Sequence, residues 1–342
     1  MAPRLVLVGN PEEIHIGAHL HKAAQGMGVE TEFSDVREAY ASGWLARAQW
    51  KWGARRPAHL IPFSRRVVET CRRFKPTHLL CVGLAPVDES ALREIGRMGI
   101  RRLNYLTDDP WNPAHRASWF LLSLPCYDEV FSTRTENLQD LRALGLREVS
   151  YLPFGYEPSI HFPERARSEQ ERRQYEADLL FFGGADTDRI SWIRPLVREK
   201  LRLALYGGYW DRYPETRSCH RGHADPRALR LAVSGAKVVL GLVRRANRDG
   251  NSMRSFEIPA MGGCMLAEDT EEHRVIFGEE GKTVLYVRSP EQMVEQLRWL
   301  LENEGQRERL SAEAHRLITS IGHTYADRLR ALLGFPGGSG QD

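Results

Sequence analysis

The 342-residue sequence has no Cys-x-x-Cys pair, and its five cysteines, Cys71, Cys81, Cys126, Cys219 and Cys264, are scattered and odd in number. A disulfide framework is therefore not expected, and the chain reads as one kept reduced. No apolar run approaches the roughly 20 residues of a membrane-spanning helix; the longest candidate lies around Trp119–Leu124. Met1–Arg4 lead straight into a strand-like run without the apolar stretch of an export signal, so a cytoplasmic chain is expected. Charge of one sign is not in excess either: 48 basic against 45 acidic groups give a formal net charge of +3. A dedicated nucleic-acid binder carries a stronger basic surplus.

Several catalytic signatures are missing. There is no GxGxxG after the first strand, which opposes a nicotinamide oxidoreductase. The GxxxxGK[ST] phosphate loop, HExxH and GxSxG are absent too. His15 and His19 share a helical spacing and Cys219-His220-x-x-His223 a faint metal look, but neither has a further ligand pair. No metal site is expected.

What the sequence does have is alternation. Arg4–Gly9 is a buried-strand run, followed by a helical stretch 16–26 and a strand near 29–33. Strands follow at 77–83, 102–107, 128–132 and 149–152, with helical segments 89–98, 113–124 and 135–144 between them. A Pro-, Gly- and charge-rich stretch, 153–175, then interrupts the pattern, which restarts with a strand at 178–183. Further strands fall at 201–206, 237–242, 264–267 and 283–287. Helical segments fall near 189–200, 226–234, 253–261, 271–277 and 290–302. Ser289, Pro290 and Gln292 sign the start of the last of these as N-cap, first position and capping box.

Such alternation implies βαβ units and parallel sheets. The expected fold is α/β, with two Rossmann-like parallel-sheet domains facing each other across a cleft. The boundaries read 1–153 for the first domain, 154–175 for a linker and 176–320 for the second. A helix at 321–333 is expected to pack back on the first domain, and 334–342 to form a frayed tail.

Ligands of open α/β sheets bind beyond the carboxyl ends of the strands, and that places the candidate residues. In the second half these are Gly183 and Gly184 after the first strand, with Tyr206 and Gly207 on the next turn. His223 in the stretch 221–226 lies on the same rim. The aromatic turn and the His223 stretch each border a ligand at this rim or are ordinary turn chemistry. Arg244, Arg245, Arg248 and Arg254 crowd a turn containing Asp249 and Gly250, with Ser252 as the expected N-cap of the following helix. Arginines and a helix N-terminus are what a diphosphate seeks. In the first half, Asn10, His15 and His19 follow the first strand. Asp108 and Asp109 end a central strand, where a carboxylate either handles a hydroxyl proton or forms an Asx-turn.

The stretches Arg254–Gly263 (RSFEIPAMGG), Cys264–Asp269 (CMLAED) and Phe277–Tyr286 (FGEEGKTVLY) come in this order. They are followed by Ser289-Pro290-Glu291 and by His323-Thr324-Tyr325 with Arg328, and Tyr105–Trp111 (YLTDDPW) precedes them in the first half. Together they resemble the CgeB-like glycosyltransferases, relatives of the retaining GT-B enzymes. The resemblance implies a hexosyltransferase-like enzyme taking a sugar from a nucleoside diphosphate donor, with retention and without a metal or other cofactor. It implies that Glu257 holds the donor ribose and that Arg189 contacts the diphosphate. It also places an acidic residue, here Asp249 where the family has glutamate, nearer the sugar. By the same resemblance Asn10, His15 and His19 line the acceptor side. Asp109, Asp108, Arg189 and Asp249 are the catalytic candidates. The donor set is Gly183, Gly184, Arg189, Tyr206, Gly207, His223, Arg244, Arg245, Ser252, Arg254 and Glu257. The shorter Asp249 keeps a second class open, a non-catalytic sugar-nucleotide or glycan-binding protein of the same fold.

One segment stands apart. Between Trp44 and Lys75 nine basic residues face the single acid Glu69, with Trp44, Trp50, Trp52 and Phe63 interleaved. It reads either as a solvated helix face with core tryptophans or as a basic surface for an anionic membrane or an acidic acceptor.

Overall fold

The computed structural model describes residues 3–41, 55–320 and 322–335. It contains two separate all-parallel sheets, one in each of two compact units. One unit comprises 1–153, 246–248 and 325–342, and the other 154–245 and 249–324.

The first unit holds a six-stranded sheet in the order β2-β1-β3-β4-β5-β6. Its strands are β1 (Arg4–Gly9), β2 (Glu30–Asp35), β3 (His78–Val82), β4 (Arg101–Leu106), β5 (Glu129–Ser132) and β6 (Glu148–Tyr151). Leu5, Val6, Leu7 and Val8 of β1 are all fully buried, as a central strand covered on both faces requires. The register pairs Leu7 with Phe33 on one side and with Leu80 on the other. The flanking helices are α1 (Ile16–Gly26), α2 (Leu60–Phe74), α3 (Glu89–Arg97), α4 (Ser118–Ser123) and α5 (Glu136–Ala143). The helix expected over 113–124 is only α4. Before it the chain makes a local turn in which the Asn112 side chain takes the Ala114 N–H at 2.9 Å.

The second unit holds a five-stranded sheet, β11-β10-β9-β7-β8. Here β7 is Ala177–Phe182, β8 Leu203–Tyr206, β9 Ala236–Gly241, β10 Met265–Glu268 and β11 Leu285–Val287. The stretch 154–175, read as a linker, counts with this unit and carries helix α6 (Glu169–Tyr175). The remaining helices of the unit are α7 (Thr187–Arg198), α8 (Pro226–Gly235), α9 (Arg254–Ala260), α10 (Glu271–Phe277), α11 (Pro290–Glu302) and α12 (Glu304–Ser320). The start of α11 is signed as the sequence suggests. Ser289 Oγ accepts the Gln292 N–H at 3.2 Å, while the Gln292 side chain reaches back to the N–H of Arg288, one residue before the expected partner.

Helix α13 (Tyr325–Leu332) belongs to the first unit. It is fixed there by Tyr325, whose ring lies 4.9 Å from that of His19 on α1, and by Arg328, whose Nε donates to the Pro153 carbonyl at 2.8 Å. In each sheet the strand order reverses once, between β1 and β3 and between β7 and β9. Those two points, at the carboxyl ends of the strands, are where an open α/β sheet offers a crevice.

Part of the basic segment, 42–54 with Trp44, Trp50 and Trp52, lies outside the described residues. In α2, Arg66 pairs with Glu38 at 3.0 Å, Arg72 with Glu94, and Arg73 with Glu32 at 3.7 Å. That face is solvated and met by acids from neighbouring elements. Among the described residues no helix is long and apolar enough to cross a membrane.

Candidate functional site

The crevice of the second sheet is built on glycine. β7 runs into Gly183 at φ +145°, and β8 into Gly207 at φ +118°. A Cβ on Gly207 would lie 2.5 Å from the Gly183 carbonyl oxygen, so the two turns are in backbone contact and only glycine fits. Hydrogen bonds stitch them together. Gly183 N–H donates to Tyr206 O at 2.8 Å, Ala185 N–H to Gly208 O at 2.9 Å, and Trp210 Nε1 to Gly183 O at 2.8 Å. His220 Nε2 donates to Gly207 O at 2.9 Å. On the same turn Tyr209 is exposed and left-handed at φ +73°, with the Arg212 guanidinium 4.1 Å above its ring. His223 is exposed, and its Cε1 would lie 3.8 Å from a Cβ on Gly208.

Arg189 enters this crevice from the first turn of α7, which Asp186 caps by accepting the Arg189 N–H at 2.8 Å. The side chain is 4% exposed. Its Nη1 donates to the Gly184 carbonyl at 2.9 Å, and its Nε is buried without a partner. Burial, with Arg254 and Arg244 close by, pushes the guanidinium down to about 9. Arg254 approaches from the other side of the reversal point. Its Nη2 donates to Leu242 O beyond β9 at 3.0 Å, and its Nη1 would stand 3.0 Å from a Cβ on Gly183. Its Nε is likewise buried without a partner, and burial lowers its pKa as well. Both guanidinium groups pack near the buried ring of Phe181, at 5.6 and 5.4 Å. Asp186, Asp249 and Glu257 are the nearby acids, and half-exposed Arg244 approaches Asp186 at 3.7 Å. The three arginines face three acids, of which Glu257 is buried and raised to about 7, and the Nε–H groups of Arg189 and Arg254 remain unused. An anion with several acceptor oxygens satisfies both.

Glu257 lies on α9, 7% exposed, and burial raises its carboxyl to about 7 against the pull of Arg254. His161 Nδ1 accepts the Glu157 N–H at 3.0 Å. Its proton therefore sits on Nε2, which faces Glu257 Oε1 at 3.5 Å.

Two expectations need revision. Ser252 does not cap α9. The chain is already helical at Met253, and Ser252 instead donates its backbone N–H to Ser255 Oγ at 3.0 Å, leaving its own buried hydroxyl without a partner. Arg245 is turned toward Glu268, with hydrogen bonds of 3.1 and 2.9 Å, and stacks 5.5 Å over Trp192.

In the first unit, Gly17 presses the start of α1 against the turn after β1, since a Cβ there would meet Asn10 O at 2.6 Å. Asn10 Oδ1 takes the Glu12 N–H at 3.0 Å. His15 is exposed, 3.2 Å from Glu12 Oε2, whereas His19 is buried against Tyr325. The two acids after β4 differ sharply. Asp109 is 1% exposed, and its oxygens accept from Trp111 N, Asn137 Nδ2, Arg248 Nε and Arg248 Nη2 at 2.7–3.0 Å. Asp108 is half-buried and lies 3.5 Å from the Thr107 hydroxyl. Among the described residues no group of three or more His, Cys, Asp and Glu could hold a metal ion.

Residues 189–334 match the family model described as glycosyl transferase-like. No curated protein matches the sequence. Among solved structures, sucrose-phosphate synthase from Thermosynechococcus elongatus superposes with a TM-score of 0.69 at 11% identity, over 97% of each chain. HepE from Anabaena in complex with UDP-glucose gives 0.66 at 10% identity, over 97% of this chain and 99% of its own. A trehalose-6-phosphate synthase studied for glycosyl transfer with retention gives 0.62 at 14%, over 97% and 98%. The fold is GT-B.

Within the GT-B fold the matched segment, a glycosyltransferase-like domain, begins at Arg189 and runs through α9. In the second unit Gly183, Gly184, Gly207, Arg189, Arg254, Arg244 and Asp249 come together. Glu257, one turn along α9 from Arg254, faces His161. Tyr206 ends β8 nearly buried. Arg248, read with the arginines of the diphosphate turn, instead belongs to the first unit and binds Asp109 and Asp140, and sequence reasoning missed His161 and His273 as partners of candidate residues. Neither histidine stands in a recognisable motif, and each acts through a contact distant in sequence.

Proposed function

We propose that this chain is a glycosyltransferase of the hexosyltransferase kind, moving a sugar from a nucleoside diphosphate donor to a hydroxyl acceptor. The observation that carries the reading is the pair of buried arginines, Arg189 and Arg254, whose Nε atoms lack partners at the point where the second sheet's order reverses. In the transfer, the bond from the sugar's anomeric carbon to the diphosphate oxygen breaks and a bond to the acceptor oxygen forms. The diphosphate leaves with the electron pair, and the acceptor hydroxyl gives up its proton. Negative charge grows on the leaving oxygen, so cations fixed there bind the transition state more tightly than the substrate. Arg189, Arg254 and Arg244 take that role, and we propose that they do so without a metal. Glu257 holds the ribose hydroxyls. Asp249 lies nearer the sugar, and the backbone around Gly207 with His223 borders the base.

On the acceptor side, Asp108 is the freer of the two acids and is assigned to orient the hydroxyl or receive its proton, with Asn10 and His15 as further contacts. Retention is supported by the likeness to the trehalose-6-phosphate synthase, and UDP is the first nucleotide to try because HepE was solved with UDP-glucose. A cytoplasmic location fits the five unpaired cysteines.

The reading is tested by melting the protein in the presence of UDP, ADP, GDP and their glucose esters. A ligand at 100 times its dissociation constant stabilises the fold by about 2.7 kcal/mol. Asp249 in place of glutamate favours a second reading, binding without transfer. Release of nucleoside diphosphate from the sugar ester separates the two, since a binding protein releases none.

A further inference from the structure

The loop carrying Asp249, Ser252 and Arg254 is braced from behind by the first turn of α10. Thr270 caps α10 by accepting the His273 N–H at 3.0 Å, and its hydroxyl donates to Gly250 O at 2.5 Å. Glu272 receives the Asn251 amide, and its carboxyl carbon would lie 2.5 Å from a Cβ on Gly250. His273 is fully buried. Its Nδ1 faces the Glu268 carbonyl at 2.7 Å, and a carbonyl only accepts, so Nδ1 carries the proton. Nε2 is then the acceptor, and it takes the Ser255 hydroxyl at 2.7 Å. Ser255 Oγ in turn accepts the Ser252 N–H. The same Glu268 uses its carboxylate to hold Val243 N–H and Arg245, where the loop begins. Both ends of the loop are thus tied to the short stretch Glu268–His273.

We propose that His273 is a positioning residue for the donor site: as a neutral acceptor it fixes Ser255, and through it the turn that presents Ser252 and Arg254 to the diphosphate. Burial holds the imidazole down to about 4, which agrees with the neutral form drawn from its partners. A leucine fills comparable space but accepts nothing, so Ser255 loses its acceptor and the turn its anchor. Glutamine places an amide oxygen near the Nε2 position and keeps the acceptor. The inference rests on the donor assignment above.

The test uses the full chain, with UDP-glucose turnover read as UDP release and UDP binding read by calorimetry. His273→Leu and Ser255→Ala are expected to raise the donor KM and the UDP Kd by about tenfold with a smaller change in kcat, and His273→Gln to restore most of the loss. A merely structural role lowers the folded fraction, which depresses apparent kcat at unchanged KM and Kd; that pattern overturns the proposal. Should His273→Leu melt below the assay temperature, Ser255→Ala, which removes one hydroxyl, decides. A wild-type protein that binds none of UDP, ADP or GDP removes the donor reading itself, and this inference with it. Wild-type binding with unaltered variants removes only the role of His273.

Discussion

Arg248 closes on Asp109 with two hydrogen bonds, Nε to Oδ2 at 2.7 Å and Nη2 to Oδ1 at 3.0 Å, although the residues are 139 positions apart. A third donor, Nη1, reaches Asp140 at 2.7 Å. The arginine sits in the left-handed region at φ +50°, a conformation that a side-chain-bearing residue keeps only when its surroundings hold it. The pairing pushes the pKa of Arg248 upward, chiefly through the bond to Asp109. With Asn137 and Trp111 also on its oxygens, Asp109 is a fixed buried anion, and its neighbour Asp108 keeps the freer carboxylate.

This arrangement predicts unequal costs. Arg248→Ala leaves Asp109 buried and unpaired and should destabilise by about 3 kcal/mol in urea unfolding. Asp140→Ala removes a half-exposed pair and should cost under about 1 kcal/mol. Adding Asp109→Asn to Arg248→Ala should recover part of the loss, because no buried charge then remains. Equal effects of Arg248→Ala and Asp140→Ala would contradict the account.

Glycine positions divide in the same way. Gly207→Ala puts a methyl 2.5 Å from a backbone oxygen at φ +118° and should cost about 2 kcal/mol or more while weakening nucleotide binding. Gly26, the last residue of α1, is exposed with nothing within 4 Å of its would-be Cβ. Gly26→Ala should stabilise by up to about 1 kcal/mol. Thermal melts of the two variants check both signs.

The fold was legible because buried strands and helices alternate. Arg189 was picked out only through the family resemblance, which expects a basic residue a few positions past Gly183. The Asp109–Arg248 clamp could not be picked out, since neither residue stands in a motif naming the other. Ser252 was misread because a serine before a helix looks like a cap. Here the Ser255 N–H that a capping hydroxyl would take goes to the Ser252 carbonyl at 3.0 Å instead, and the Ser252 N–H goes to the Ser255 hydroxyl. Local hydrogen bonding likewise shortened the helix expected over 113–124, where Asn112 turns the chain.

Glu257 supplies a pH signature. Its carboxyl is raised from 4.5 to about 7 by burial, so between those values the folded state holds a proton that the unfolded state has lost. Stability should therefore fall as pH rises through that window, by at most about 1.4 kcal/mol per pH unit, and level off above it. Arg254 and His161 face the group and bound the effect. Glu257→Gln lacks this proton, so its stability relative to wild type should improve from pH 4.5 to 7. A constant difference across that range in denaturant titrations would rule the raised carboxyl out.

The central claim is that Arg189 and its neighbours receive the diphosphate of a nucleotide sugar, and calorimetric titration of UDP, ADP and GDP into wild type and Arg189→Ala tests it most directly. The account predicts that at least one diphosphate binds the wild type and that Arg189→Ala weakens it by roughly tenfold or more, with Arg189→Lys recovering only part of the loss. The matching nucleoside without phosphates should bind wild type and variant alike. Diphosphate binding of equal strength in wild type and a folded Arg189→Ala, or none in the wild type, would contradict it.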